Sequence, residues 1–398
     1  MKALLSRILE RCKAHFDDIT TIRRDIHMYP EVGFEVYRTA DIVAAELSRL
    51  GLKVTREVGK TGVVGDLDIS GVEKRIALRA DMDALPMQEL SDAPYRSKVE
   101  GKAHMCGHDV HTAILLGTAR VLAELEDLLQ TNVRLIFQPS EENWPGGAQS
   151  MIEDGVLDGV DEIYGLHAWP VFEAGQFGIC PGAYLGQADH FEIEITGVGG
   201  HAAMPSFAID PIVIGAQFVT ALQSIVSRNV DPLESAVVSV TQFNAGTTSN
   251  VIPPAVKMVG TVRTLDKEVQ KKVQDRMEKL LSGLISGQGA TFNFFYGEGY
   301  PVTFNHEPCV ERALSVARAV AGEEQVIFPQ SPILGAEDFG YYSRKIPACF
   351  FNLGCGNRAK GITKMLHDPR FDVDESCMIY GMAMETLLAL TFHRESRL

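Results

Sequence analysis

The chain has 398 residues and a formal net charge of −15, with 45% hydrophobic and 22% charged residues. Such a composition is typical of a soluble globular protein, and the length predicts two or three domains of about 150 residues each. The acidic balance argues against a surface that binds nucleic acids or anionic membranes.

Cysteine usage and the N-terminal residues indicate a reducing compartment. Seven cysteines, odd in number and widely spaced, argue against a disulfide framework in a chain of this size. Most of them lie in apolar runs and are predicted to be small core residues. The first residues lack the apolar segment and cleavage site of a signal peptide, and no apolar run approaches the ~18–20 residues of a membrane span. We therefore expect a cytoplasmic location.

The first part of the chain alternates between helical and strand patterns. Helical spacing of apolar residues predicts helices over 4–27, 38–50, 110–129 and 146–153. Short apolar runs predict strands over 52–55, 62–69, 75–80, 132–138 and 161–166. This alternation predicts an α/β domain whose sheet has parallel character.

The pattern changes near residue 185 and predicts an inserted α+β domain over 186–294. The order strand, helix, strand, strand, helix, strand is that of a ferredoxin-like unit. These elements are expected over 190–196, 209–227, 236–243, 256–264, 266–285 and 291–296. Elements of the first type then resume, with helices over 309–320 and 375–392 and a strand over 348–353. Residues 1–185 and 295–398 are therefore predicted to form one domain that the insertion interrupts.

Polar side chains follow three of the predicted strands at the point where each strand ends. Asp81 and Asp83 follow one strand, Glu141 and Glu142 follow the next, and His167 follows a third. In open α/β sheets, ligand sites form at the edge where the carboxyl ends of the strands meet. We therefore expect these side chains to converge on one site.

A short run, His104-Met105-Cys106-Gly107-His108-Asp109-Val110-His111, combines three imidazoles, a thiol and a carboxylate. Thiolate and imidazole are preferred ligands of zinc and its first-row neighbours. The Cys-x-His spacing puts the two donors on opposite faces of an extended chain, whereas a tight bend at Gly107 would bring Cys106 and His108 to one metal ion. The run is predicted to be a loop entering the helix over 110–129. The alternative is a few solvated histidines beside a buried cysteine.

Five candidate metal donors are spread over about 260 residues of the chain: Cys106, His108, Glu142, His167 and His367. This is one ligand more than a closed tetrahedral site needs, and a structural zinc site would group its ligands as close pairs. The set suits an open site of two metals roughly 3.5–4 Å apart that share a ligand and a water. Cys106 is the best candidate for the shared ligand, since a thiolate has lone pairs for both ions.

Glu141 and Glu142 are adjacent at a strand end, so their side chains point in different directions. One carboxylate can bind metal while the other takes a proton from the activated water and passes it to a leaving amine. We assign Glu142 as the ligand and Glu141 as the general base and acid. A solvated loop feature is the alternative, but the position after Phe137-Gln138-Pro139-Ser140 favours catalysis.

Seven motifs, in order along nearly the whole chain, resemble a family of dinuclear metallo-amidohydrolases. The family includes hippurate hydrolases, N-acyl-amino-acid aminoacylases and auxin–amino-acid conjugate hydrolases, within a wider clan of aminoacylase- and carboxypeptidase-like enzymes. The motifs are HMYPE (27–31), RADMDALP (79–86), MCGHD (105–109), QPSEE (138–142), GLHAWP (165–170), GGHAAMP (199–205) and LHDP (366–369).

The resemblance implies a mixed-sheet, zinc-peptidase-like catalytic domain with an inserted lid and dimerisation domain. It implies that Glu141 is catalytic and that two metals are held by Cys106, His108, Glu142, His167 and His367.

The resemblance also assigns residues of the inserted domain to the substrate. It implies that His201 polarises the scissile carbonyl, often across the dimer, and that Asn250 and Arg263 contact the substrate carboxylate. An imidazole can stabilise an oxyanion, and a planar guanidinium matches a carboxylate. The alternatives are a turn residue for Asn250 and a surface ion pair for Arg263.

Other polar residues near these motifs have more than one interpretation. Asp81 and Asp83 are placed to orient the ligands from behind, although a turn role before Pro86 is the alternative. Orienting roles or simple solvation are both open for three more residues: His104, Asp109 and His111. The segment over 335–340 also matches the family, without a role for Glu337 or Asp338.

These patterns predict metal-dependent hydrolysis of N-acyl amino acids, with hippurate-like, N-acetyl or other acyl substrates, to a carboxylic acid and a free amino acid. The predicted cofactors are two divalent ions, Mn²⁺ or Zn²⁺ ahead of Co²⁺ or Ni²⁺, because mixed S/N/O ligand sets accept several metals. The predicted partners are the small-molecule substrate and further copies of the chain, in a homodimer or higher oligomer.

Three other functions are weighed against this prediction. The nearest is a dinuclear dipeptidase or exopeptidase that acts on short peptides. The second is a thiol hydrolase with Cys106 as nucleophile and His108 or His111 as base. The third is a catalytically silent metal-binding protein, which the presence of Glu141 disfavours.

Overall fold

The computed structural model describes residues 2–393, which form two compact units. The second unit comprises Leu185–Val302 together with Pro332–Glu337, and the other described residues form the first unit. Each unit has its own hydrophobic core. None of the described helices is long and apolar enough to cross a membrane.

The elements before the second unit alternate strands with helices. The helices are α1 (Lys2–Met28), α2 (Tyr37–Arg49), α3 (His108–Glu124) and α4 (Gly147–Glu153). The strands are β1 (Lys53–Val58), β2 (Gly62–Leu67), β3 (Arg75–Asp81), β4 (Asn132–Gln138), β5 (Glu162–Glu173), β6 (Phe177–Gly178) and β7 (Gly182–Leu185).

The chain then forms the second unit and returns to the first. The elements of the second unit are β8 (Gln187–Thr196), β9 (Gly200–His201), α5 (Pro211–Arg228), β10 (Ala236–Ala245), β11 (Val251–Ile252), β12 (Ala255–Thr264), α6 (Lys267–Ser286) and β13 (Thr291–Tyr300). The later elements are β14 (Thr303–Asn305), α7 (Glu307–Ala321), β15 (Val326–Ile327), α8 (Gly340–Ser343), β16 (Ala348–Gly356) and α9 (Cys377–Thr391).

An eight-stranded mixed sheet crosses the first unit in the order β1-β2-β4-β3-β5-β16-β6-β15. Its centre is parallel, because β3 pairs in parallel with β4 and β5, and β5 pairs in parallel with β16. Antiparallel pairs flank this centre, β1 with β2 and β2 with β4 on one side and β16 with β6 on the other. The predicted mixed α/β fold is confirmed.

Helices α1, α3 and α9 pack against one another in the core of the first unit. Helix α9 is apolar on nearly every side and is buried from Gly381 to Thr391, as expected of a helix covered all round. Helices α3 and α9 come close at Gly117, where a Cβ atom would lie 2.1 Å from Met382 Sδ. A larger residue at position 117 would therefore force the side chain of Met382 to move.

The carboxyl group of Glu385 is buried in the interface between α3 and α9. Thr118 Oγ1 donates a hydrogen bond to Glu385 Oε2 at 2.8 Å, but burial outweighs this bond and raises the pKa of Glu385 to about 8. Between pH 4.5 and about 8 the folded protein therefore keeps a proton that the unfolded chain has released. The free energy of unfolding should fall as pH rises through this window, by at most about 1.4 kcal/mol per pH unit from this group.

We expect Glu385→Gln to remove this contribution to the pH dependence. Urea unfolding at about pH 5 and about pH 8 should show that the variant gains stability relative to the wild type at the higher pH. Glu10→Gln, at an exposed carboxylate of α1, is the matched control and should keep the wild-type dependence. Identical pH dependence in the wild type and Glu385→Gln would contradict a protonated Glu385.

The second unit is a four-stranded antiparallel sheet in the order β10-β12-β8-β13, with α5 and α6 packed on it. The succession of strands and helices on this sheet is ferredoxin-like. Both helices begin after an aspartate that caps them: Asp210 accepts from Ile212 N–H at 2.9 Å, and Asp266 from Glu268 N–H at 2.8 Å. Strand β13 is longer than the predicted strand over 291–296. The role of this unit as lid and dimerisation module stays a prediction.

The predicted end of β5 is wrong, and the difference bears on the site. The strand continues through His167 to Glu173, because β16 pairs with it over this length. Pro170, four residues beyond the predicted strand over 161–166, falls where the pairing of β5 with β16 is irregular, the kind of position at which a sheet tolerates proline. His167 is therefore a strand residue and not a loop residue.

The predicted start of α3 is also two residues late. Gly107 takes a left-handed conformation with φ of +91°, which a glycine adopts without steric cost. The helix can therefore begin at His108 directly after this turn. Cys106 lies in the loop, whereas His108, Asp109 and His111 are held by the first turns of a buried helix.

Candidate metal centre

The carboxyl ends of adjacent parallel strands form one side of the site. Asp81 ends β3 and pairs in register with Gln138 at the end of β4. On the other side of β3, strand β5 passes the same edge and carries His167. Polar side chains thus collect at the edge of the sheet where open α/β folds form ligand sites.

Two groups of candidate metal donors share the thiol of Cys106. The donor atoms of Cys106, His108 and His167 lie within 4.8 Å of one another, and so do those of Cys106, Glu142 and His367. We call these groups the two trios. Two trios with a common thiol are the arrangement that a pair of ions with one shared ligand requires.

His167 is a neutral ring whose Nε2 lies next to the thiol. Its Nδ1 donates to the carbonyl oxygen of Ala168 at 2.9 Å, while burial and the neighbouring His111 hold the pKa of His167 well below its ordinary value. Nε2 therefore keeps a lone pair, and it lies 3.5 Å from Cys106 Sγ. A neutral imidazole with its other nitrogen fixed by an acceptor is the form that binds metals.

His108 is fixed in a similar way at the start of α3. A carbonyl oxygen can only accept, so Nδ1 of His108 donates to the carbonyl of Asp83 at 2.8 Å. Its Nε2 is buried and has no hydrogen-bond partner among residues 2–393. Burial lowers the pKa of His108, but Asp81 and Asp83 outweigh it and raise the value to about 10. The carboxylates of Asp81 and Asp83, which stabilise the protonated ring of His108, would also stabilise a metal cation at Nε2.

Asp83 orients the loop that carries Glu141 and Glu142. Its Oδ1 accepts the backbone N–H of Glu141 at 2.9 Å, and its Oδ2 accepts that of Glu142 at 3.1 Å. Glu141 is buried, and its Oε2 lies 3.9 Å from His108 Nε2. Ser140, directly before this pair, has φ of +55°, a strained value of the kind found at functional sites. The side-chain carboxylate of Asp83 thus fixes the backbone of both glutamates, and the backbone carbonyl of Asp83 fixes the ring of His108.

His367 reaches the site from the C-terminal part of the first unit. Its backbone N–H donates to the carbonyl of Met105 at 2.7 Å, which sets it beside Cys106. Its Nε2 lies 3.2 Å from Glu142 Oε1, and the bond to Glu142 raises the pKa of His367. The backbone of His367 has φ of +64°, so this residue too is held in a strained conformation.

A buried network of charges lies behind the candidate ligands, and our sequence analysis did not predict it. Arg79 is fully buried and donates to Asp81 Oδ2 at 2.8 Å and to Asp338 Oδ1 at 2.9 Å. Asp81 Oδ1 accepts from His111 Nδ1 at 2.6 Å, and His111 Nε2 accepts the backbone N–H of Ala168 at 2.8 Å. Both nitrogens of His111 are used, so it orients its neighbours and is not a candidate ligand.

This network keeps Asp81 ionised and assigns a structural role to Asp338. Burial opposes ionisation of Asp81, yet the neighbouring rings of His108 and His111 hold its pKa well below its ordinary value. Asp338 Oδ2 accepts from Gln138 Nε2 at 2.7 Å and from the backbone N–H of Ala148 at 2.9 Å. The signal in the sequence was an arginine inside an apolar strand, since a buried charge needs a partner.

Asp109 and His104 are buried rather than solvated. Asp109 Oδ2 lies 2.6 Å from Arg23 Nε and 2.8 Å from His27 Nδ1. Burial would raise the pKa of Asp109, but Arg23 and His27 hold it well below its ordinary value. Burial lowers the pKa of His104 to about 3, and neither of its ring nitrogens has a hydrogen-bond partner in the described chain. The ion pairs of Asp109 with Arg23 and His27 join α1 to the start of α3.

The chemistry of the donor set fits divalent cations. Burial and the carboxylates of Glu142 and Glu141 raise the pKa of the Cys106 thiol well above its ordinary value. A thiol in such surroundings is protonated at neutral pH and is a poor nucleophile, which argues against the thiol hydrolase. Coordination to a metal deprotonates a thiol outright, and a cation bound at the buried Nε2 of His108, which has no hydrogen-bond partner among residues 2–393, would likewise take the place of a proton.

Two of the remaining predicted site residues lie side by side in the second unit. His201 of β9 pairs with Val251 of β11. Val251 directly follows Asn250 in the sequence. The backbone N–H of Ala203 donates to His201 Nδ1 at 3.1 Å, so the neutral ring carries its proton on Nε2. The side-chain oxygen of Asn250 accepts from Thr248 Oγ1 at 3.0 Å, which leaves its amide nitrogen to donate elsewhere.

Arg263 lies in β12 of the same unit and is half-buried. Its guanidinium has no hydrogen bond or salt bridge within the described part of the chain, so the surface ion pair that was the alternative is not formed. Burial lowers the pKa of Arg263, and Asp189 opposes that effect. A partly desolvated guanidinium without an internal partner is suited to bind a carboxylate.

Comparison with known proteins identifies the family. Residues 77–390, more than half of the chain, match the model of peptidase family M20/M25/M40. The chain belongs to this family. Thermostable carboxypeptidase 2 of Saccharolobus solfataricus is 39% identical over 392 residues, which cover 98% of this chain and 99% of that protein. An N-acyl-L-amino acid amidohydrolase of Geobacillus stearothermophilus is 44% identical over 307 residues, 77% of this chain and 82% of that protein.

A solved structure of an M20 relative matches the whole fold. The YXEP protein of Bacillus subtilis, described as a dinuclear metal-binding peptidase of the M20 family, superimposes with a TM-score of 0.85 at 34% identity. The match covers 96% of this chain and 99% of that one. The predicted family and the predicted enzyme class, a metal-dependent hydrolase, are confirmed. Two divalent cations are supported both by this M20 relative and by the two trios.

Proposed function

We propose that this M20-family enzyme hydrolyses the amide bond of N-acyl amino acids and releases a carboxylic acid and a free amino acid. The observation that carries the proposal is the pair of trios that share Cys106, with the carboxylate of Glu141 close to His108 and Glu142. An M20 relative named as an N-acyl-L-amino acid amidohydrolase supports this substrate class.

In the proposed reaction Glu141 moves the proton. Two divalent cations held by the two trios would lower the pKa of water toward neutrality and polarise the scissile carbonyl. Glu141 takes the proton of the attacking water and passes it to the leaving amine, as general base and then general acid. Its burial and the bond from its backbone to Asp83 restrict its position.

Residues of the second unit are proposed to bind the rest of the substrate. His201 donates a hydrogen bond from Nε2–H to the oxyanion that forms as water attacks. Asn250 and Arg263 bind the α-carboxylate through the amide nitrogen and the guanidinium.

We also propose a homodimer, which light scattering of the full chain would test.

A panel of substrates with and without chelation tests the proposed function. It contains hippurate, N-acetyl-methionine, an indoleacetyl amino acid and a free dipeptide. We expect cleavage of at least one N-acyl substrate, loss of activity in EDTA, and recovery with Mn²⁺ or Zn²⁺. Activity that survives EDTA and is destroyed by iodoacetamide would overturn the two-metal mechanism in favour of Cys106 as a nucleophile.

A carboxypeptidase or dipeptidase is the second candidate, because Thermostable carboxypeptidase 2 is 39% identical to this chain. A dipeptidase needs a site for a free α-amino group, whereas an N-acyl substrate presents an uncharged amide there. Rates on free dipeptides that exceed those on matched N-acyl amino acids would favour this candidate.

We expect Arg263→Ala to raise the KM for N-acyl amino acids by about tenfold or more, since a charged hydrogen-bonding partner of the carboxylate is lost. The matching N-acyl amino acid amides, which lack the carboxylate, should be affected much less. Arg276→Ala, at an exposed arginine of α6, is the control. Equal effects of Arg263→Ala on acids and amides would contradict the assignment.

A further inference from the structure

The motif over 27–31 contributes no side chain to the proposed reaction, yet its histidine is buried among charged groups. His27 is the next-to-last residue of α1 and is 1% exposed. Each of its ring nitrogens faces a carboxylate, since Nδ1 lies 2.8 Å from Asp109 Oδ2 and Nε2 lies 3.3 Å from Glu89 Oε2. An ionised carboxylate can only accept a hydrogen bond, so both nitrogens donate and the ring is an imidazolium.

Two cations of α1 hold Asp109 from the same face of this helix. Arg23 lies four residues before His27, the spacing that brings side chains together on an α-helix, and its Nε lies 2.6 Å from the same Oδ2 of Asp109. Burial and Arg23 lower the pKa of His27, but Asp109 and Glu89 outweigh them and raise it. These contacts hold the carboxylate of Asp109 in place, because its loss of either partner would leave buried charge uncompensated.

Asp109 is the second residue of α3 and directly follows the candidate ligand His108. Gly107 precedes the helix, and no side chain within residues 2–393 caps the first turn with a hydrogen bond. The bond from His108 to the carbonyl of Asp83 fixes the ring. The contacts of Asp109 with α1 hold the turn of backbone from which that ring projects.

The loop between β3 and α3, which leads to Cys106, is tied to the same end of α1. Long loops of this kind, without regular secondary structure of their own, are usually functional. Glu89 of this loop accepts from His27 and also, at 2.7 Å, from the backbone N–H of Ser97. His27 thus contacts the loop before Cys106 through Glu89, and it contacts the helix after Cys106 through Asp109.

We propose that His27 is a positioning residue of the metal centre. By donating to two carboxylates at once, its ring holds in place the loop and the helix that carry Cys106 and His108. This inference rests on the metal centre of the proposed function and assigns a role to a motif that the reaction leaves unused. His27 itself belongs to neither trio. Loss of a residue that bonds directly to a metal ligand lowers metal affinity by about 10- to 100-fold, and His27 acts one residue further away.

The test measures the Mn²⁺ affinity of chelator-stripped protein by competition, in two variants that separate hydrogen bonding from packing. His27→Phe keeps a ring in the cluster but donates nothing, and we expect it to lower the affinity by about tenfold. His27→Gln loses the ring but can donate to one carboxylate, so it should lower the affinity less. A residue that only fills space would give the reverse order. Asp109 keeps Arg23 in both variants, so its charge stays paired.

His15→Gln is the matched control for both variants. His15 also belongs to α1 and pairs at 3.1 Å with Glu124, the last residue of α3. It therefore joins the same two helices at the far end of α3, and its loss should leave the Mn²⁺ affinity unchanged.

Hydrogen exchange of the metal-free protein provides a second readout that involves no ion. The backbone N–H of His111 donates to the carbonyl of Gly107 at 3.1 Å across the first turn of α3. Exchange at this amide should be faster in His27→Phe than in the wild type, and it should be unchanged in His15→Gln.

Wild-type Mn²⁺ affinity or wild-type exchange in His27→Phe would overturn this inference and leave the proposed function standing. A greater loss of affinity in His27→Gln than in His27→Phe would do the same. No substrate enters either measurement, so a wild-type protein that binds Mn²⁺ but cleaves no N-acyl amino acid would overturn the proposed function alone. A wild-type protein that binds no divalent cation would overturn both.

Discussion

Glu141→Gln should lower kcat/KM for the best N-acyl amino acid by about 10²- to 10⁴-fold, the range that general acid–base catalysis contributes. The amide has nearly the shape of the carboxylate but cannot take a proton from water. The loop should stay in place, because Asp83 holds the backbone of Glu141 and not its side chain. Steady-state assays together with metal analysis measure the effect, and we expect wild-type metal content.

Glu153→Gln provides the matched control for this experiment. It makes the same chemical change at an exposed residue at the end of α4, and it should retain wild-type activity. Full activity in Glu141→Gln would refute the assignment of the general base. Loss of metal from Glu141→Gln would instead make Glu141 a ligand, which its proximity to His108 and Glu142 permits.

Cys106→Ala should weaken metal binding more than any other single substitution in the site. Both trios contain this thiol, so its loss removes a ligand from each ion. Removing a residue that only hydrogen-bonds to a metal ligand costs about 10- to 100-fold in metal affinity. We expect the loss of Cys106, itself a ligand, to exceed that range. Competition of each variant with a chelator of known affinity measures it, and activity at limiting metal should fall in parallel.

Cys12→Ala is the control for Cys106→Ala, since Cys12 is a buried core cysteine of α1 and should leave metal affinity unchanged. An inactive Cys106→Ala protein that binds two ions with wild-type affinity would contradict a shared thiolate. That result would return Cys106 to consideration as a nucleophile.

The sequence predicts the family and the mixed α/β fold because the evidence for both is local. Apolar periodicity marks α1, α3 and the strands, and polar residues at strand ends mark the edge of the sheet. The five candidate ligands are close in space in the structure although His367 is far from Cys106 in sequence. Their roles as metal ligands stay a prediction, as do those of Glu141, His201, Asn250 and Arg263.

Other features depend on pairing and packing that one sequence does not reveal. Pro170 indicates a strand end soon after residue 166, yet pairing with β16 extends β5 through His167 to Glu173. Arg79 and Asp338 are far apart in sequence and meet only in the folded core. The left-handed backbones of Ser140 and His367 are uncommon for residues other than glycine, and their positions do not follow from the local sequence.

The most direct test of the dinuclear centre is an anomalous diffraction map from crystals of the Mn²⁺-loaded enzyme. We expect two peaks roughly 3.5–4 Å apart, one bound by His108 and His167 and the other by Glu142 and His367, with Cys106 Sγ between them. A single peak, or two peaks bound by other residues, would contradict the two-metal centre on which the proposed reaction depends.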